Sequence, residues 1–302
     1  MSGAAALALA ELYARHLDDA LEFPSDGRRF STRAGTHGTN RFGLHERDLP
    51  DTPPPGVRRI VVLGDSMTWG TASPAEAWPR AVETQLGAPW QTVNLSHYGY
   101  DAEQALATLQ SFGWRNQPAA VVFGTYANDL VPTELITVGS PAMPAWVGAS
   151  FLFPGAGRSS LGRRLEGAVR TRYYVEAEDP ARFAAAVMAM RDAADAAGVP
   201  FFVVLLAPHV LAEPDPERCD AFAGSVGRCA AALELAARQL QMVTQLGVPA
   251  FSVVPALQAG PERVWFPADS DDWEHPSPAG HTLIGAAVAD WLAALLPVAA
   301  SR

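Results

Sequence analysis

The stretch "RRIVVLGDSMTWG" at positions 58–70 joins two kinds of chain at one glycine. Its first half is short, continuously apolar and β-branched, the composition of a strand buried on both faces. A strand of that kind belongs to a parallel sheet with helices packed above and below it. Its second half places Gly64, Asp65 and Ser66 at the strand's carboxyl end. A turn uses these residue types for backbone reasons, because glycine tolerates positive φ and Asp and Ser bond neighbouring amides. A reactive hydroxyl at a strand tip has the same spelling. The rest of the chain decides between them.

Four further runs resemble the first: "QTVNLS" (91–96), "AAVVFG" (119–124), "PFFVVLLA" (200–207) and "PAFSVV" (249–254). Between them lie segments with helical periodicity at 74–87, 101–114, 179–198 and 225–247, and a last one at 277–298 closes the chain. Several end in glycine just ahead of the next strand, as helix C-termini do. Strands alternating with helices predict a three-layer α/β/α fold, with a five-stranded parallel sheet and right-handed crossovers. The expected organisation is a single domain over 1–302. It carries an N-terminal helix and extended arm (1–57) and a long insertion at 131–178. Connections of that length in compact domains are usually lids or disordered, and Trp146, Phe151 and Phe153 in this one favour packing.

Composition narrows the classes. Of 302 residues, 49% are apolar and 18% charged, enough for a sizeable core. The net charge of −10 gives no footprint for nucleic acid, and no basic run appears. The opening "MSGAAALALAELYARHLDDALEF" lacks a basic start and is interrupted by Glu11, Arg15, Asp18 and Asp19, so it reads as an amphipathic helix rather than a signal peptide. No membrane span is expected. Cys219 and Cys229 match no metal spacing and read as two reduced thiols in a cytoplasmic protein, with one bridge as the alternative. The seven histidines form no HxxxH or HExxH pair, so neither metal nor cofactor is expected.

In open α/β sheets, ligands bind at the carboxyl ends of the strands. There the sequence places Ser66, then His97, Tyr98 and Gly99, then Asn128 and Asp129, then His209, and finally Asp272 and His275 ahead of the closing helix. A serine hydroxyl needs a base within hydrogen-bond reach, and His275 titrates in the right range. Asp272, three residues upstream, can orient the ring and stabilise its charged form. The N–H groups of Ser66 and Gly99 and the amide of Asn128 are candidate oxyanion donors. Asp65, His97, His209 and Trp146 are candidate substrate contacts, although Asp65 also suits a helix cap.

These blocks resemble the GDSL/SGNH family of serine esterases and acyltransferases, which carries Ser, Gly, Asn and His in four separated blocks on a flavodoxin-like fold. The matching stretches are "VVLGDSMTWG" with Ser66, "VNLSHYGYD" with Gly99, "VVFGTYANDL" with Asn128 and "DDWEHPSPAGH" with Asp272 and His275. The upstream "NRFGLHERDLP" (40–50) is similar to the arm ahead of the nucleophile in some bacterial members. One departure stands in the third block, where glycine precedes Asn128 by four positions instead of two. The resemblance implies a serine hydrolase that cleaves an ester or thioester of a small molecule through an acyl-enzyme. The same groups also serve an acyltransferase, for example in natural-product or carbohydrate modification. A catalytically inactive binding protein on this scaffold is the third possibility. Substrate, acyl length and oligomeric state are not fixed by these residues.

Overall fold

The structure, a computed structural model, describes residues 21–22, 28, 31–36, 38–70, 73–130, 179–223, 228–260 and 275–296. The expected N-terminal helix and the body of the 131–178 insertion, including Trp146, lie outside the described residues.

A short antiparallel pair, β1 (Leu21–Glu22) and β2 (Ser31–Thr32), precedes the main sheet. The sheet contains β3 (Arg58–Gly64), β4 (Trp90–Asn94), β5 (Pro118–Thr125), β6 (Phe201–Leu205) and β7 (Ala250–Ser252), in the spatial order β4-β3-β5-β6-β7. Every pairing is parallel, as expected. Successive side chains of a strand point to opposite faces, and each strand here divides its residues between two cores. Ile60, Val62, Ala120, Val122, Phe202 and Val204 feed one core. Val61, Leu63, Val121, Phe123, Val203 and Leu205 feed the other. Each such side chain contributes roughly 1.5–3 kcal/mol on burial, so neither face of the sheet tolerates exposure.

The helices in chain order are α1 (Ser66–Trp69), α2 (Trp78–Leu86), α3 (Ala102–Thr108), α4 (Pro180–Ala196), α5 (Pro216–Ala223), α6 (Arg228–Gln245), α7 (Val254–Ala259) and α8 (Pro278–Leu295). Val82 of α2 and Ile284, Val288 and Leu292 of α8 cover the first core. Ala102 and Ala105 of α3, Phe183, Val187 and Met190 of α4 and Val243 of α6 cover the second. The helix expected over 101–114 is α-helical only to Thr108, then passes through a π turn (Leu109–Gly113) and a 3₁₀ turn (Trp114–Asn116). Thr108 and Ser111 hydroxyls donate back to the carbonyls of Gln104 and Ala107, a habit that loosens helices.

Two features were not in the expected plan. Cys219 and Cys229 form a disulfide rather than two free thiols. Helices α5 and α6 bring their Cα atoms to 6.1 Å, and Asp220 Oδ1 accepts the Cys229 N–H beside the bond. A ten-residue spacing could not reveal that approach. The second feature is at the root of the insertion: the chain departs after Leu130 and returns at Asp179, whose N–H donates to the Leu130 carbonyl at 2.7 Å.

Candidate active site

β3 runs next to both β4 and β5, although the chain visits them one after the other. Its carboxyl end is therefore the switch point of the sheet, where a crevice opens. Ser66 sits there, half-buried, as the first residue of α1.

A four-residue helix cannot sustain itself, and this one is held from outside at both ends. Asp65, the N-cap, accepts the Met67 N–H on Oδ1 at 2.9 Å. At the other end Asn94 Nδ2 donates to the Thr68 carbonyl, and His45 Nδ1 donates to the Trp69 carbonyl at 2.8 Å. Because a carbonyl only accepts, the His45 proton must be on Nδ1. The His45 ring also stacks on Trp69, with centroids 4.8 Å apart and planes 7° from parallel. These carbonyls at the helix end would otherwise lack intrahelical partners.

His45 belongs to the arm ahead of β3, and its neighbour Glu46 fixes that arm to the sheet. Glu46 accepts from Asn94 N–H at 2.9 Å and pairs with Arg80 Nη2 at 2.8 Å. Burial pushes the Glu46 carboxyl up to about 7, with the Asn94 bond and the Arg80 charge pulling against it. Arg47 extends the contact to Glu83.

Facing Ser66, His275 lies at the entrance to α8, with Nε2 2.8 Å from Ser66 Oγ. That is hydrogen-bond distance, and an imidazole with its proton on Nδ1 accepts from the hydroxyl there, which is the geometry a serine needs to be activated by a base. Ser277 caps α8 by accepting the Gly280 N–H, which fixes the turn behind His275. One turn further on, His281 is wholly buried and its Nδ1 accepts the Trp78 N–H. Burial first, then the charge of His275, lower its pKa to about 4. His281 is thus a neutral packing residue behind His275.

The remaining sequence candidates fall into three groups. Gly99 stands at φ 72° after β4, and Asn128 lies in the 3₁₀ turn Ala127–Leu130 after β5, so both belong to loops at the same sheet end as Ser66. The Asn128 and His209 side chains, and Asp272 entirely, lie outside the described residues. Asp65 and His97 do not line a pocket as expected: each is 0% exposed. His97 donates from Nδ1 to the Tyr98 carbonyl, which leaves Nε2 to accept the Thr32 hydroxyl, and its ring stacks on Tyr100. Burial lowers its pKa to about 3, so it is neutral. A strand-end histidine reads the same in sequence whether it faces outward or into the arm.

Sequence reasoning passed over Asn94 and His45, and noted Tyr98 only for its place at a strand end. Tyr98 is 36% exposed, adjoins Gly99 and packs edge-on against Trp69. The signal for His45 was present in "NRFGLHERDLP", whose bonds to α1 and β4 give that arm its purpose.

Fold and site together define a doubly wound α/β protein with a histidine-backed serine at the carboxyl end of its sheet. The chain is similar to GDSL-type lipases and acylhydrolases. No family model and no curated protein matches it. Among solved structures it is similar to a GDSL-like lipase from Bacteroides thetaiotaomicron, at 14% identity, 79% of this chain, 89% of that chain and a TM-score of 0.45. It is also similar to the lipase/acylhydrolase from Enterococcus faecalis, at 17% identity, 81% and 100% coverage and a TM-score of 0.43. For a psychrotrophic esterase from a Pseudoalteromonas species the values are 13%, 79%, 98% and 0.46. At these identities the chemistry has to rest on the chain's own residues.

Proposed function

We propose that the protein is a serine hydrolase of the GDSL/SGNH type that cleaves an ester or thioester of a small molecule through an acyl-enzyme. The observation that carries this reading is the Ser66 Oγ–His275 Nε2 distance of 2.8 Å at the sheet's switch point. As Ser66 attacks the acyl carbonyl, its proton passes to His275 Nε2. The ring then returns that proton to the leaving alcohol or thiol. A water then attacks the acyl carbon while giving a proton to His275, and as the bond to Ser66 Oγ breaks the ring hands that proton to Oγ and the acid leaves.

The oxyanion is assigned to Ser66 N–H, Gly99 N–H and the Asn128 amide, each such donor contributing on the order of 3 kcal/mol to the transition state. Asp272 is assigned to the second imidazole nitrogen. The proposed organisation is one domain with the arm and the 131–178 insertion as additions. If an alcohol or amine enters in place of water, the same acyl-enzyme performs acyl transfer, and product analysis with acceptor present separates the two outcomes. The cytoplasmic placement read from the sequence conflicts with the Cys219–Cys229 bond, which favours an oxidising compartment.

Fluorophosphonate labelling and turnover of a short p-nitrophenyl ester test the nucleophile. Ser66→Ala is expected to abolish labelling and to cut turnover on the order of 10⁶-fold. Labelling retained by the variant overturns the assignment, and a wild type that neither labels nor turns over an activated ester indicates a binding protein.

A further inference from the structure

The β3–β5 register pairs Gly64 with Gly124, so the turns that follow the two strands lie side by side. One of these turns carries Asp65 and Ser66, the other Asn128 and Asp129. Both aspartates are buried, Asp65 at 0% and Asp129 at 4% exposure. Asp129 Oδ2 accepts two bonds from its own turn, the Thr125 hydroxyl at 2.9 Å and the Tyr126 N–H at 2.7 Å. Gln239 of α6 braces the same turn by donating to Thr125 Oγ1 and to the Tyr126 carbonyl. The other oxygen, Oδ1, is buried and has no hydrogen-bond partner among the described residues.

Among the described residues no cation offsets this carboxyl. The groups that face it are the Asp65 carboxylate from the nucleophile turn and Asp101 from the cap of α3. Across a small cavity lie Glu103, Asp179 and Arg182. Arg182 is committed to Glu103 and lies 3.7 Å from Asp101. Burial, then the Asp65 charge, hold Asp129 well above the usual carboxylate range. Two buried carboxylates on adjoining turns cannot both ionise at low cost, and a buried oxygen without a donor adds its own penalty. One proton removes both costs.

We propose that Asp129 is a positioning residue held as the neutral carboxylic acid, with its Oδ1–H donated to the Asp65 carboxylate. The shared proton ties the turn that carries the nucleophile to the turn that carries Asn128. Asp65 then has two duties, capping α1 through Oδ1 and receiving the neighbouring turn's proton. The pairing is a property of the fold; only its effect on acylation rests on the ester-cleaving reading.

The test is infrared spectroscopy of protein carrying ¹³C-carboxyl aspartate, recorded near neutral pH for wild type, Asp129→Asn and Ser66→Ala. Wild type and Ser66→Ala are expected to show the carbonyl stretch of one buried protonated acid, and Asp129→Asn to lack it. Absence of that band from wild type, or its survival in Asp129→Asn, overturns the proposal. Because the band is read in Ser66→Ala as well, the result is independent of the nucleophile assignment. Fluorophosphonate labelling supplies the functional readout. Asp129→Ala is expected to label on the order of 100-fold more slowly, the effect of misplacing a reacting group by about an ångström. Asp129→Asn, whose amide donates where the acid did, is expected to recover most of that loss. It is also expected to lack the alkaline decline in rate that wild type shows on losing the shared proton. An asparagine variant as slow as the alanine variant refutes the positioning role.

Discussion

Replacing Gly124 with alanine puts a methyl group between the sheet and the helix that begins at Ser66. The added Cβ would lie 2.5 Å from Thr68 Oγ1, 3.1 Å from Trp78 Cζ2 and 3.2 Å from Leu206 Cδ1. The last two contacts need a few tenths of an ångström of relief. The first needs about 1 Å to reach an ordinary separation. Thr68 is two residues from Ser66 in a four-residue helix, so a displacement there is passed to Ser66. Overpacking of this kind costs about 1–3 kcal/mol of stability, and a shift near 1 Å at Ser66 costs on the order of 100-fold in acylation. The Thr68 hydroxyl is buried without a hydrogen-bond partner among the described residues, so Thr68→Ala removes the obstacle and an unsatisfied group together. The double variant is therefore expected to regain at least about 1 kcal/mol relative to the sum of the singles. Gly64→Ala differs, because its Cβ would also stand 2.7 Å from the Gly124 carbonyl oxygen at a φ of +154°, and no side-chain deletion relieves a backbone clash. Urea midpoints and fluorophosphonate labelling rates of the wild type, the singles and the doubles measure all of this. If Gly124→Ala matches wild type in both, or if its effect and that of Thr68→Ala simply add, the described seating of α1 is wrong.

Three other outcomes follow from buried charge and covalent closure. Glu46, raised from 4.5 to about 7, holds its proton more tightly folded than unfolded, so stability falls as pH climbs through that window and is flat above it. The full drop is about 3 kcal/mol, and urea titrations between pH 4.5 and 7 are expected to show it shrink in Glu46→Gln. His281 has the opposite sign: lowered from 6.5 to about 4, it stabilises above 6.5, and that stability is lost as pH falls toward 4. His281→Asn is therefore expected to flatten the acid limb of the same profile. Reducing Cys219–Cys229, or replacing both cysteines with serine, opens a loop of ten-residue separation. The expected loss is about 2–3 kcal/mol, read as a lower thermal midpoint, and thiol counting in unfolded protein without reductant is expected to find neither cysteine free.

The five strands were legible because parallel strands bury both faces and so read as unbroken apolar runs; each run falls on its strand within a few residues. The run at 249–254 shortens to Ala250–Ser252 because α7 begins at Val254 with proline in its first turn. Helix α5 escaped notice, since "PERCDAFA" is too short and too polar to show a period. The serine and histidine were found by position, at strand ends and in matching blocks. What those positions could not convey was orientation. His97 and Gly99 stand two residues apart in one loop, yet the first is sealed beneath the arm and the second is partly exposed. Asp65 and Asp129 depend still more on three dimensions, because strand register alone makes them neighbours.

The hydrogen bond from Asp179 to Leu130 closes the base of the 131–178 insertion as a hairpin closes on itself. The two ends of the connection are thus already together, and closing a loop twice as long costs only about 0.6 kcal/mol more. The junction is next to Asn128 and Asp129. A change in the length of that connection is therefore cheap in closure entropy while it acts directly beside the turn that follows β5.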